Sequence, residues 1–140
     1  MRKILKTSFL GGLTLLVMAV PLSFANACTC PEPSEELATE YYNDMDFVFE
    51  GEIVSLSKDT LRHTPKVTLK ITRQYKGHFT EREVSFDYNP DQNLCGFRFA
   101  EQQLVTLGAY EVEGRLPRIA FSCAQMGVRK YLIMQGGYPR

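Results

Sequence analysis

The chain has 140 residues, with 16 Lys and Arg balanced by 16 Asp and Glu, so its formal charge is zero. No stretch is strongly basic, which argues against nucleic acid as a partner. There is no cationic amphipathic segment to bind a membrane surface either.

Reading from Met1, Arg2, Lys3 and Lys6 form a short positive segment. An almost wholly apolar run follows from Phe9 to Leu22, and Ala25-Asn26-Ala27 then places small residues where a signal peptidase reads. The run is shorter than the roughly 20 residues needed to cross a bilayer. Residues 1–27 are therefore expected to be a removable signal peptide, with Cys28 as the first mature residue. The mature protein is then expected to be secreted or periplasmic. A Cys in that position is also where a lipoprotein acceptor would stand. Ala25 occupies the position where such signals favour Leu, so membrane attachment is expected only if Cys28 is lipidated. Removing 27 from 140 residues leaves 113, enough for one small domain with one modest core. The leader holds three of the basic residues and none of the acids, so the mature chain is 13 minus 16, or −3.

Cys28-Thr29-Cys30-Pro31-Glu32-Pro33 is too proline-rich for helix and reads as an extended strap. Ser34 is placed to cap a helix, with Glu35 and Glu36 in its first turn, where the dipole favours acids. Leu37, Tyr41 and Met45 at four-residue spacing predict a short amphipathic helix. From Asp46 the period becomes two. Phe47, Phe49 and Ile53 predict a first strand, and Gly51 within it predicts a bulge or sharp bend. After a polar connection over 58–65, Val67, Leu69 and Ile71 alternate with Lys66, Thr68, Lys70 and Thr72 as a second strand. Lys76-Gly77-His78 reads as a turn. Val84, Phe86 and Tyr88 predict a third strand, and the segment 89–93 a loop. Leu104 to Val112 predicts a fourth strand, Glu113-Gly114 a turn, and Leu116 to Cys123 a fifth. Residues 126–140 read as a C-terminal tail with an apolar patch from Tyr131 to Met134. Five short strands and one small helix predict a mainly β, disulfide-stapled domain. The five-stranded Greek-key barrel of OB type fits best, and a sandwich, which usually needs about seven strands, fits less well.

All four cysteines, Cys28, Cys30, Cys95 and Cys123, fall after the leader. In a small exported domain an even count reads as a disulfide framework. A bridge between Cys28 and Cys30 would close a very tight ring. Each is therefore expected to reach one of Cys95 and Cys123, closing loops worth about 4 kcal/mol each. A four-thiolate zinc site suits neither the export signal nor the spacing, which has only one close pair. A Cys-x-Cys redox site has no second reactive arrangement near it in the sequence. His63 and His78 lie in polar turns and read as surface residues. Glu50 and Glu52 share one strand face and read as solvated. No nucleophile motif, phosphate loop or nucleotide site is present, so neither enzymatic activity nor a cofactor is expected.

A mature Cys28-Thr29-Cys30 terminus ahead of a helix and five strands resembles the netrin-like domain. It resembles most the N-terminal inhibitory domain of the tissue inhibitors of metalloproteinases. The segment from Asp46 to Val54 is similar to that family's first strand. Leu94-Cys95-Gly96 follows the third strand, and Tyr110 and Gly114 lead on to Cys123. The resemblance covers 28–125. Pro31 stands where those inhibitors usually carry a small apolar residue, and their third bridge and second, cysteine-rich domain have no counterpart in this chain. It implies that Cys28 pairs with Cys95 and Cys30 with Cys123. It further implies inhibition of a zinc metalloprotease, with the α-amine and carbonyl oxygen of Cys28 ligating the protease's zinc. Thr29 would enter the specificity pocket, flanked by Cys30 and Pro31, and Asn93, Leu94 and Gly96 would form a second contact strip. The competing expectation is a non-inhibitory, extracytoplasmic protein-binding module on the same scaffold.

The intact mass of protein recovered from the exported fraction should correspond to a chain beginning at Cys28. A mass increased by a diacylglyceryl group would overturn the unmodified terminus.

Overall fold

A computed structural model describes residues 28–58 and 60–137; the expected leader over 1–27 and the last three residues lie outside the described residues. The first element is helix α1, Glu35–Asp44, and the Ser34 hydroxyl accepts the Leu37 amide at 3.1 Å as its cap. No basic residue stands in its last turn. Lys76 supplies that charge from another element, donating to the carbonyls of Tyr42 at 3.1 Å and Asn43 at 2.6 Å. A cation at a helix C-terminus favours the helix dipole.

Five strands follow: β1 Phe47–Lys58, β2 Pro65–Lys76, β3 Glu83–Asp87, β4 Leu104–Tyr110 and β5 Arg118–Ile119. They close into a barrel in the order β1-β2-β3-β5-β4, with β4 returning to β1. All pairings are antiparallel except β3 with β5, which is parallel. This is the OB-type barrel expected from the strand pattern. β1 serves both β2 and β4, so it must bend to close the sheet. Its pairing with β2 shifts register at Val48/Phe49, Glu50/Gly51 and Ile53/Ser55. Gly51 sits at one of these bends, where a Cβ would lie 2.9 Å from the Lys70 carbonyl oxygen. The interior glycine thus marks a bend, as the sequence suggested.

The barrel interior is filled by Phe49, Ile53, Val67, Leu69, Phe86, Leu107 and Ile119, all nearly or fully buried. The Phe49 and Phe86 rings stack 4.8 Å apart. A second core lies outside the barrel wall, built from Met45, Val48, Ala120, Ala124, Val128 and Leu132. This explains why β1 is apolar on both faces around Val48: one face fills the barrel and the other meets the helices.

The C-terminal end differs from the sequence expectation. The fifth strand is two residues long, and the chain turns at Phe121 into helix α2, Ser122–Met134. Cys123 therefore lies in the first turn of a helix. Most of the segment that reads as tail from Met126 is the rest of that helix, with Leu132 buried and Tyr131 stacked on Tyr42 at 4.1 Å. Among the described residues there are two α-helices rather than one.

The side chain of Gln125 shows why the strand stops. It is 5% exposed. Its Oε1 accepts the Gly108 amide at 2.6 Å, and its Nε2 donates to the carbonyls of Gly108 at 2.8 Å and Ala120 at 3.0 Å. One amide side chain thereby pairs with both backbone groups of a β4 residue and inserts between Gly108 and Ala120, whose own amide still donates to the Gly108 carbonyl at 3.0 Å. Gly108 carries no Cβ because one would lie 2.8 Å from Met45 Cγ, inside the second core.

Gln125→Leu should cost about 2–4 kcal/mol, since it strips partners from buried backbone groups. Gln125→Glu should be destabilising in a pH-dependent way. A carboxylate there would face two carbonyl oxygens, and burial would raise the folded-state pKa above that of the unfolded chain. The folded state then binds the proton more tightly, so the variant should be most stable at low pH. Stability should fall as pH rises above the unfolded-state value. Urea titrations at several pH values measure both effects. A pH-independent Gln125→Glu would refute the inferred contacts.

Candidate functional site

The strap and the loop beside it form the most constrained surface of the molecule. Residues 28–33 have no regular secondary structure, and two disulfides hold them down. Cys28 is bonded to Cys95 with Cα atoms 5.3 Å apart, and Cys30 to Cys123 at 5.1 Å. No described cysteine is free. Two bridges in so small a domain mark a protein of an oxidising, extracytoplasmic environment. Among the described residues no helix is long and apolar enough to cross a membrane.

Each bridge partner is itself fixed. Cys95 follows a 3-10 turn, Gln92–Leu94, and adopts a left-handed backbone with φ 56°. The loop is tied internally: Asn89 Oδ1 accepts the Asp91 amide at 3.0 Å, and Asp91 Oδ1 accepts the Asn93 amide at 2.9 Å. The Asp91 carbonyl accepts from Leu94 and Gly96, and the Asn89 carbonyl accepts from Phe97. A Cβ at Gly96 would run into the Asn89 and Asp91 carbonyl oxygens, so this close wrapping requires glycine. Cys123 is fixed by α2, which Gln125 anchors two residues later. The Ser122 amide donates to the Cys95 carbonyl at 3.0 Å, joining the loop to the helix start.

The bridges lie side by side. Cys28 Sγ is 4.0 Å from Cys123 Sγ, and Ser122 Oγ lies 3.9 Å from Cys28 Sγ and 3.8 Å from Cys30 Sγ. The sulfurs of Cys28, Cys95 and Cys123 all fall within 4.8 Å of one another. Proximity alone would suit a metal, but these sulfurs are bonded in disulfides and are not thiolates. At the far end of the strap, Lys130 donates to the Pro33 carbonyl at 2.7 Å and pairs with Glu32 at 3.4 Å. Glu32 is 84% exposed, so the ion pair adds little and the charged bond to the backbone does most of the holding.

The residues singled out from sequence are placed as follows. Cys28 and Cys30 are half-buried, while Thr29 and Pro31 are exposed. Asn93 is exposed and Leu94 is 68% exposed. Because Cys95 lies between Leu94 and Gly96, the Cys28–Cys95 bridge sets this second strip against the strap. His63 and His78 are exposed and belong to no cluster of metal-ligating side chains among the described residues.

Sequence reasoning missed a cavity of about 300 Å³ beside the loop. Leu94, Gly96, Phe97, Tyr110, Arg118 and Phe121 line it. The Tyr110 hydroxyl is held above its ordinary pKa, first by burial and then by the negative charge of Asp44, so it stays neutral. No motif announces this cavity, because three separate chain segments assemble it.

The fold and site define a disulfide-stapled, closed five-stranded barrel with a clamped N-terminal strap. No protein-family model matches the chain, and no curated protein matches it.

Loss of the Cys30–Cys123 bridge in a Cys30→Ala/Cys123→Ala variant should cost about 2–4 kcal/mol, because it spans 93 residues. Chemical unfolding under non-reducing conditions measures it. An unchanged midpoint would mean that the strap adds nothing to stability.

Proposed function

We propose that this protein, once residues 1–27 are removed on export, inhibits a zinc metalloprotease through the strap at Cys28 and Thr29. The observation that carries the reading is the double clamp. Two adjacent disulfides fix a three-residue Cys-Thr-Cys segment, and the side chain between them is exposed.

The chemistry follows from what cleavage would create. The new α-amine of Cys28 has an ordinary pKa of about 7.7–8.0, far below that of lysine, so it gives up its proton to a metal at small cost. The amine nitrogen and the carbonyl oxygen of one residue together form a two-point ligand. A catalytic zinc keeps one position open for water or substrate. A two-point ligand arriving there displaces the nucleophilic water. The sulfur of Cys28 takes no part, because it is committed to Cys95. Thr29 presents its side chain to the specificity pocket. Pro31 limits the freedom of the strap behind it, and Asn93, Leu94 and Gly96 supply the second contact strip. Because the disulfides fix the segment in advance, little chain entropy remains to be lost on binding.

The resemblance to the inhibitory domain of the tissue inhibitors of metalloproteinases supports this reading, as does the pairing of Cys28 with Cys95 and Cys30 with Cys123.

Correctly processed and oxidised protein should inhibit at least one member of a panel of zincin-type proteases. Acetylating the α-amine, or adding one Ala before Cys28, should abolish the effect. Thr29→Gly should weaken inhibition about tenfold and change which proteases respond. Asn93→Ala should have a smaller effect. If native protein leaves the whole panel untouched at micromolar concentration, inhibition is refuted. Retention of a captured partner by the Ala-extended protein would instead support the docking module.

A further inference from the structure

The cavity beside Cys95 has features that the zinc reading does not use. Its walls mix polar surface with apolar and aromatic side chains from Leu94, Phe97, Tyr110 and Phe121. One cationic side chain, Arg118, lines it as well. Arg118 lies on the two-residue strand β5, opposite Tyr110 on one side and Asp87 on the other. Its side chain is exposed and makes no hydrogen bond or ion pair with any described residue. Two basic residues elsewhere in the fold contrast with it: Lys130 is bonded to Pro33 and Glu32, and Lys76 to Tyr42 and Asn43.

An unpaired guanidinium beside aromatic walls selects for a particular ligand. Its planar fork of donors matches a carboxylate. The aromatic walls gain from covering an apolar body. The volume sets the size: at about 30 Å³ for each water-sized group, 300 Å³ takes a body of roughly ten non-hydrogen atoms. The loop that forms one wall is held by its own hydrogen bonds and by the Cys28–Cys95 bridge, so the cavity is formed before any ligand arrives.

We propose that this cavity binds small organic carboxylates with an aromatic or branched apolar body, the carboxylate pairing with Arg118 and the body lying against Phe97, Tyr110 and Phe121. The site lies apart from residues 28–33 and shares only Leu94 and Gly96 with the second contact strip; carboxylate binding does not depend on protease inhibition.

The test uses oxidised, isotopically labelled protein and 3-phenylpropionate as the probe, followed by amide chemical-shift titration. Shifts should saturate and concentrate at Leu94, Gly96, Phe97 and residues 119–121. The uncharged analogue 3-phenylpropanamide should bind about tenfold more weakly or worse, because the charge-assisted hydrogen bonds are lost. Acetate, which lacks the apolar body, should bind more weakly still. Arg118→Gln should reduce affinity for the acid to that of the amide while leaving distant amide shifts in place, since the side chain is exposed. Non-saturating shifts, equal binding of acid and amide, or an unchanged affinity in Arg118→Gln would overturn the assignment. Equal binding of acetate and 3-phenylpropionate would show a bare anion contact and overturn the ligand class.

Discussion

The placement of the strap over residues 28–33 depends on one buried amide. Gln125 pairs with both backbone groups of Gly108 and with the Ala120 carbonyl, so it finishes the sheet and starts the helix at once. A buried polar side chain is tolerated only when its hydrogen bonds are made. Here they can be made in only one register between α2 and β4. That register places Cys123 and Ser122 at the strap, and the Ser122 amide in turn holds the Cys95 carbonyl. The apolar contacts of Ala124, Val128 and Leu132 supply most of the burial. They are non-directional and would tolerate a helix slid or rotated by a small amount. The amide removes that freedom.

The strap is therefore the last layer of a chain of fixed parts. The barrel positions Gly108, Gly108 positions α2, and α2 with the 89–97 loop positions the two cysteines that receive Cys28 and Cys30. Lys130, also on α2, secures the strap at Pro33. A helix outside the barrel thus decides where the N-terminal segment lies. On the barrel side it is held by the loop at Cys95, through the Cys28–Cys95 bridge.

Much of this was legible in the sequence, and what was not has identifiable causes. The two-residue alternation in β1 to β4 and the Ser34 cap gave the barrel and α1, because one-sided burial imposes a period that residue types reveal. The bend at Gly51 was legible for the same reason. From residue types alone the cysteine pairing stayed open. The pairing in the structure, Cys28 with Cys95 and Cys30 with Cys123, is the one that the family resemblance implied. Helix α2 was hidden by two residues. Gln125 is polar in an apolar stripe, and Gly127 is a poor helix former in mid-helix. Both have tertiary reasons: Gln125 serves Gly108, and a Cβ at Gly127 would run into the Tyr41 ring of α1. The stripe of Ala124, Val128 and Leu132 was there to be read, but the expected strand ending at Cys123 took in the first two residues of the helix. The cavity lined by Arg118 could not be read at all, since its walls meet only after the barrel closes.

The order of the cysteines along the chain constrains how the molecule can be made. The first pairs with the third and the second with the fourth, over separations of 67 and 93 residues. A chain delivered N-terminus first presents Cys28 and Cys30 together, long before either partner exists. When Cys95 emerges, it meets two equally near thiols, and linear sequence gives no preference between them. The preference arrives only with α2, the final element, which sequesters Cys30 beside Cys123. Correct oxidation is thus a readout of completed folding. The bridges seal a structure that the barrel and the Gln125 amide have already specified, and an oxidant that acts before residue 123 is delivered can join Cys95 to the wrong thiol as readily as to Cys28.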